Sequence, residues 1–250
     1  ITTDNLNISY GSLDIVKNLN LKIPKGKITT IIGANGCGKS TVLKTIARIL
    51  TSKSGEIYIN EKNIKEQGAK ELAKVMAVLP QSPQAPNGLT VEELIAYGRF
   101  PHQKGFGKLK KEDKNIIQWA LEVTGLIEFR ERDIEDLSGG QRQRAWIAMA
   151  LAQQTDILIL DEPTTYLDLA HQLEILNLLK ELNEKHGTTI VMVIHELNNA
   201  ARFADYMIGM KAGKIACQGT AYEVMTKENL KELFNIDAEI IEDPRNKRPV

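Results

Sequence analysis

Four groups of residues in this 250-residue chain have the types and spacing to handle phosphate. The first is Gly33-Ala34-Asn35-Gly36-Cys37-Gly38-Lys39-Ser40-Thr41. Its glycines let the backbone turn tightly with N–H groups pointing inward. A helix opening behind them adds more donors, so the segment makes a cradle for anionic oxygens. In such a cradle Lys39 reaches the β- and γ-phosphates of a nucleotide, Ser40 gives its hydroxyl to Mg²⁺, and Thr41 lies near the α-phosphate. Cys37 reads as a small residue tolerated where its backbone matters, with a redox switch near the helix N-terminus as the alternative. The second group is Asp161-Glu162, which ends the apolar run 157–160. Asp161 offers a hard oxygen ligand to Mg²⁺, and Glu162 is a candidate general base for an attacking water. The third is His195, after the apolar run 189–194; a lone histidine there is more often structural than catalytic. The fourth is Ser138-Gly139-Gly140-Gln141. Gln141 stands at the capping-box position of a following helix, so Ser138 marks a second helix N-terminus suited to an anion. One nucleotide has no use for two complete phosphate cradles from one small domain, so the second cradle implies a second copy.

The elements around these residues support the reading. Residues 28–32 are a short apolar, β-rich run ending at Gly33. Val42, Leu43, Ile46, Ile49 and Leu50 then fall at helical spacing over 40–50. Residues 56–59, 75–79, 157–160 and 189–194 are further strand candidates, and their alternation with helices predicts a largely parallel sheet covered on both faces. From 84 to 154 the pattern changes to helices and loops without a convincing strand. Thr90 and Glu93 form a capping box there, and Ile116, Ile117, Ala120, Leu121 and Thr124 give a second helix its apolar face. Pro80, Pro83 and Pro86 mark the entrance to this region. Near the C-terminus 227–234 reads as a helix, followed by a polar end that packs or frays.

Composition narrows the function classes. Apolar residues make up 42% and charged residues 26%, as in an ordinary globular protein. Lys+Arg and Asp+Glu both total 32, which argues against a general nucleic-acid binder. The basic stretch 108–114 is broken by Glu112 and Asp113 and reads as a solvated surface. Two cysteines, Cys37 and Cys217, supply no disulfide framework and point to a reducing compartment. The first residues lack the basic and apolar regions of a signal peptide, and no apolar run is long enough to span a bilayer. Any membrane part is therefore expected on another chain.

The phosphate cradle and Leu137-Ser138-Gly139-Gly140-Gln141, in that order and with the acids between the latter and His195, resemble the ATP-binding cassette (ABC) ATPases over nearly the whole chain. The resemblance implies an α/β fold: a P-loop NTPase (RecA-like) core with an N-terminal antiparallel β portion and an inserted α-helical subdomain. It implies a single nucleotide-binding domain, 1–250, with the core at 1–83 and 155–220, the helical signature subdomain at 84–154 and a helical tail at 221–250. It assigns Asp161 and Glu162 to the Walker B motif and His195 to the switch histidine that contacts the γ-phosphate. Gln81 takes the place of the Q-loop glutamine that senses Mg²⁺ and water. Tyr10 takes that of the aromatic stacked on adenine, although an early tyrosine beside Gly11 also suits any loop. Asp168, in Thr164-Thr165-Tyr166-Leu167-Asp168, matches the D-loop aspartate. In this family the signature closes over the ATP of the other subunit, so a head-to-tail homodimer with two ATP is implied, with Mg²⁺.

Further wording resembles one subgroup: Gly88-Leu-Thr-Val-Glu-Glu-Leu, Tyr97-Gly-Arg-Phe-Pro-His102, His171-Gln172, and the run from His195 to Asp205 are similar to the ATPases of ferric siderophore, haem and vitamin B12 import. Glu196 stands where an aspartate is usual. The resemblance therefore implies an ATP hydrolase on the cytoplasmic face of the membrane that powers uptake through separate permease subunits, with an extracytoplasmic substrate-binding protein in the full system. Residues 83–102 would receive a short helix of the permease. A ferric siderophore is the favoured cargo, with haem or cobalamin as alternatives. An exporter ATPase, a soluble ABC protein acting on ribosomes or DNA, and a regulator without turnover are the rival readings. Intact Lys39, Asp161, Glu162 and His195 disfavour the last.

Overall fold

The computed structural model describes residues 1–103 and 108–250. The chain forms two compact units, one of residues 1–67 with 183–250 and one of residues 68–182. In the first unit β1 (Thr2–Tyr10) pairs antiparallel with β2 (Leu13–Leu19), and then β3 (Ile28–Ile32) leads to α1 (Lys39–Ile46). β4 (Ser54–Ile59) returns beside β1, and the short β5 (Lys62–Asn63) completes the antiparallel order β2-β1-β4-β5. The expected N-terminal antiparallel portion is therefore present. α1 is shorter than the spacing over 40–50 predicts. The helix stops at Ile46 because Arg48 turns into the left-handed region at φ 56°, and Ile49 is left 61% exposed. The guanidinium of Arg48 then donates to the carbonyls of Ile64 at 2.9 Å and Gln67 at 2.6 Å, tying the turn to a neighbouring loop.

The second unit opens with α2 (Ala69–Val75), which runs straight into β6 (Met76–Leu79). Val75 thus ends the helix rather than starting the strand. α3 (Val91–Tyr97), α4 (Lys111–Val123) and α5 (Gly139–Ala152) follow. The capping box predicted at Thr90 is formed in both directions, the Glu93 N–H donating to Oγ1 at 3.3 Å and the Thr90 N–H to Glu93 Oε2 at 2.9 Å. Ile116, Ile117, Ala120, Leu121 and Thr124 are buried along α4, as their spacing predicts. β7 (Ile157–Asp161) is buried along its whole length and lies parallel to β6, with Leu79 opposite Leu160. α6 (Leu169–His186) leads out.

The charged stretch 108–114 is not wholly the solvated surface that its composition suggests. Asp113 is not on a solvated surface: it is 6% exposed, its Oδ1 accepts from Arg99 Nε at 2.9 Å, and its Oδ2 caps α4 through the Lys110 N–H at 2.9 Å. Arg99, itself 3% exposed, also donates from Nη1 to the carbonyl of Ala152, the last residue of α5, at 2.7 Å. The pair fastens the ends of α3 and α5 to the start of α4.

The chain then re-enters the first unit. β8 (Thr189–Val193), α7 (Leu197–Phe203), β9 (Tyr206–Lys211) and β10 (Lys214–Gly219) follow, and α8 (Ala221–Val224) and α9 (Lys227–Phe234) close the regular structure. β3 is flanked in parallel by β8 and β9, and β10 adds an antiparallel edge. Burial on both faces explains why β3 and β8 are continuous apolar or threonine runs. The C-terminal end packs: Ile241 and Val250 exchange two backbone hydrogen bonds, and Arg248 donates to the Ala204 carbonyl at 3.0 Å.

Candidate functional site

In the first unit the phosphate cradle leaves the C-terminal end of β3. Gly33 sits at φ 148°, and a Cβ there would collide with the Met210 carbonyl oxygen, so only glycine lets the loop leave the sheet at this point. Gly38 occupies the N-cap of α1 in the left-handed region at φ 103°. The Gly213 N–H donates to the Cys37 carbonyl at 2.9 Å and pins the loop to the β9–β10 turn. α1 has no acidic residue in its first turn, so nothing there opposes an anion at its N-terminus. Lys39 is 5% exposed, and its Nζ donates to the loop carbonyls of Gly33 at 2.8 Å and Ala34 at 3.0 Å. Asn35 and Gly36 are exposed at the loop tip, Ser40 and Thr41 are half-buried on the first turn, and the Cys37 thiol is buried. His195 follows β8, the parallel neighbour of β3. Ile31 and Val193 are in register, so Gly33 and His195 each stand two residues beyond a matched pair and emerge from the same edge of the sheet. Tyr10 ends β1 in the same unit and is 49% exposed.

The second unit carries the acids in the same manner. Gln81 and Glu162 each lie two residues beyond the matched pair Leu79–Leu160, and parallel pairing brings them together. Gln81 Nε2 donates to Glu162 Oε2 at 2.5 Å. Glu162 is in the left-handed region at φ 55°, a strained conformation for a residue with a side chain. The Thr165 hydroxyl donates to the same oxygen, Oε2, at 3.0 Å and holds the carboxylate in place. Asp161, at the end of β7, is 4% exposed.

The signature segment forms the predicted capping box. The Gln141 N–H donates to Ser138 Oγ at 3.3 Å, and the Ser138 N–H donates to Gln141 Oε1 at 3.0 Å. Ser138 and Gly139 are exposed at the start of α5. Asp168 caps α6 in turn, its Oδ1 accepting from the His171 N–H at 2.9 Å and from His171 Nδ1 at 2.8 Å. Those two bonds hold the Asp168 carboxyl below its usual value, the backbone bond counting most. Three contributors were not singled out as site residues from sequence: Thr165, His171 and Arg99. Asp168, just before α6, and His171, three residues on in its first turn, carry a cap-and-reply spacing that could have shown them. The Thr165–Glu162 bond follows from the tight turn after β7 and has no comparable sequence signal.

Comparisons with known proteins show the family of a chain with this fold. The ABC transporter family pattern matches residues 16–165. The iron(3+)-hydroxamate import ATP-binding protein FhuC of Bacillus subtilis (strain 168) is 63% identical over 250 residues, covering 100% of this chain and 93% of that protein. A solved structure described as an inward-facing metal-chelate type ABC transporter shares 29% identity at a TM-score of 0.85, over 100% of this chain and 94% of the other. The dimeric structure of an ATP-binding cassette in a post-hydrolysis state, bound to ADP and Pi, shares 32% identity at a TM-score of 0.77, over 88% of this chain and 97% of the other. A glycine cradle at the end of β3, an acid pair at the end of β7 and a capped signature helix, in a chain matched over 16–165, make this protein a member of the ABC transporter ATPase family with the P-loop NTPase fold.

Proposed function

We propose that the chain is the ATP-hydrolysing subunit of an importer for iron chelates, with ferric hydroxamate siderophores as the cargo. The observation that carries this reading is the 63% identity to an iron(3+)-hydroxamate import ATPase across the full length of the chain. Two copies bind two ATP head to tail. In each copy the backbone N–H groups of Gly36 and Gly38, with Lys39 and Thr41, hold the phosphates, and Tyr10 stacks on the adenine. Ser138, Gly139, Gly140 and Gln141, with Asp168, close over the nucleotide of the other copy. The dimeric arrangement of the ADP- and Pi-bound cassette supports that pairing.

The residues present suit Mg²⁺. Among the described residues no group of three or more His, Cys, Asp or Glu side chains could hold a metal ion. Mg²⁺ is commonly held by one or two protein oxygens together with substrate phosphates and water, so such a cage is not required. The Ser40 hydroxyl, the Asp161 carboxylate and the Gln81 amide oxygen are hard donors of the right kind. Gln81 uses its Nε2 on Glu162, which turns that amide oxygen away from the carboxylate. When bound, the ion neutralises charge on the phosphates. Glu162 accepts the proton of the attacking water, and His195 contacts the γ-phosphate.

The permease docks beyond Gln81. There a cavity of about 320 Å³ is lined by Pro83, Pro86, Leu89, Ile134, Arg142 and Trp146, a mixture of apolar and polar groups that suits a short amphipathic helix. Among the described residues no helix is long and apolar enough to cross a membrane. The chain then works on the cytoplasmic face of the membrane with separate permease subunits and an extracytoplasmic binding protein.

The test is uptake of labelled iron from ferric hydroxamates into cells lacking the protein, restored with the wild-type chain or Glu162→Gln. Wild type should rescue. Glu162→Gln should bind ATP, hydrolyse it about 10²–10⁴-fold more slowly and fail to rescue. Rescue of haem or cobalamin uptake alone would reassign the cargo, and normal turnover by Glu162→Gln would remove it as the base.

A further inference from the structure

His171 lies between the two segments that the reading above sends across to the partner copy. Its Nδ1 is 2.8 Å from Asp168 Oδ1, and its backbone N–H donates to the same oxygen at 2.9 Å. A carboxylate can only accept, so Nδ1 carries the proton and the ring is fixed in one orientation. The opposite part of the ring lies against the first turn of the signature helix. A Cβ built on Gly140 would sit 2.5 Å from His171 Cδ2 and 2.9 Å from Cγ, while one on Gly139 would be 3.9 Å from Leu167 Cδ2. The ring thus fills the space that the missing side chain of Gly140 leaves, and the glycine is required for that approach. All these residues lie in the unit formed by residues 68–182.

We propose that His171 is a positioning residue: its imidazole is a strut that joins the Asp168 turn to the N-terminus of the signature helix, so that both meet the partner copy's nucleotide as one block. This rests on the reading that Ser138–Gln141 and Asp168 act on the ATP of the second copy. The strut touches no substrate. It acts by holding two segments in fixed relation, and misplacing such a segment by about 1 Å can cost up to about a hundredfold in rate.

The experiment uses the full chain in four forms beside wild type: His171→Ala, His171→Asn, Gly140→Ala and Gly140→Ala/His171→Ala. Steady-state ATP hydrolysis, ADP affinity and melting temperature are measured for each. His171→Ala should lower kcat by roughly ten- to a hundredfold with ADP affinity unchanged, because the P-loop sets that affinity. Asn keeps a donor near the place of Nδ1, so His171→Asn should recover most of the lost kcat. Gly140→Ala drives a methyl into the ring and should be impaired. Removing the ring makes room for the methyl, so the double variant should lose less than the product of the two single losses, a non-additivity expected of groups in contact.

A wild-type kcat in His171→Ala, a wild-type kcat in Gly140→Ala, or single losses that simply multiply in the double variant would each overturn the strut. If His171→Ala fails to fold, the Asn form and Gly140→Ala decide. ATP-driven dimerisation of Glu162→Gln, followed by sedimentation, tests the underlying reading separately. Its absence would defeat the sandwich, whereas dimerisation with unchanged His171 variants would defeat the strut alone.

Discussion

Replacing Arg99 with Met should destabilise the protein through a charge left buried without its partner. Arg99 and Asp113 are 3% and 6% exposed and meet at 2.9 Å. The substitution keeps most of the apolar stem but strands the carboxylate and removes the donor to the Ala152 carbonyl. Breaking one side of such a pair costs about 3–5 kcal/mol. At about 2–4 °C per kcal/mol for a chain of this size, the melting temperature should fall by about 6–20 °C. Arg99→Met/Asp113→Leu should recover part of the loss, because no unpaired charge remains. The pH dependence has a definite sign. Burial alone would raise the Asp113 carboxyl, but the Arg99 hydrogen bond, the Lys110 N–H and the two nearby positive charges outweigh it and lower it from 3.8. A lowered carboxyl contributes stability that is complete above the unfolded value and is lost as the pH falls through the folded value. In Arg99→Met the Arg99 hydrogen bond and charge are gone while the Lys110 contributions remain, so burial weighs more heavily on the carboxylate and protonation relieves the variant first. The gap between the two proteins should therefore narrow from about pH 7 to about pH 4 when followed by calorimetry. A fall of less than about 2 °C, or a double variant no better than the single, would refute the reasoning.

Two further predictions concern the cradles. Cys37 is 7% exposed beneath the phosphate loop, so iodoacetamide should label it only when the loop opens. The adduct should abolish hydrolysis. ATP at about a hundred times its dissociation constant should slow labelling by about a hundredfold, and equal rates by mass spectrometry with and without nucleotide would contradict the placement. Ser138→Ala removes the side-chain cap of α5 and should cost about 1 kcal/mol in urea unfolding. The same change should lower ATP-driven dimerisation in a Glu162→Gln background, whereas a stability loss with intact dimerisation would leave Ser138 a cap and nothing more.

What the sequence shows and what it hides divide along physical lines. The cradle is legible because its requirements are local: Gly33 must sit where a Cβ would strike the Met210 carbonyl, and Gly38 must take φ 103°. The strands that matter most are legible because burial on both faces makes 28–32, 157–160 and 189–193 unbroken apolar or threonine runs. Parallel pairing then does the rest, since matched strand ends deliver Gly33 beside His195 and Gln81 beside Glu162 without any further instruction. β1 is harder to see, because irregular register between Leu6, Ile8 and Ser9 spoils a strict alternation. β10 is hidden for a related reason, as an antiparallel edge strand with few apolar positions, and in β9, which lies between β3 and β10, Gly209 interrupts a short buried run. The Arg99–Asp113 pair was illegible for another cause. A charged run such as 108–114 states its composition but not which member turns inward, and that depends on a partner fourteen residues away. His171 is legible only in part: its spacing from Asp168 suggests the local cap, but its approach to the bare backbone of Gly140 on another helix has no local sign. The chemistry proposed for this chain is thus written locally, in the residues assigned to phosphate and water. The alignment of that chemistry rests on pairs distant in sequence, which is why variants at Arg99 and His171 probe what motif matching leaves out.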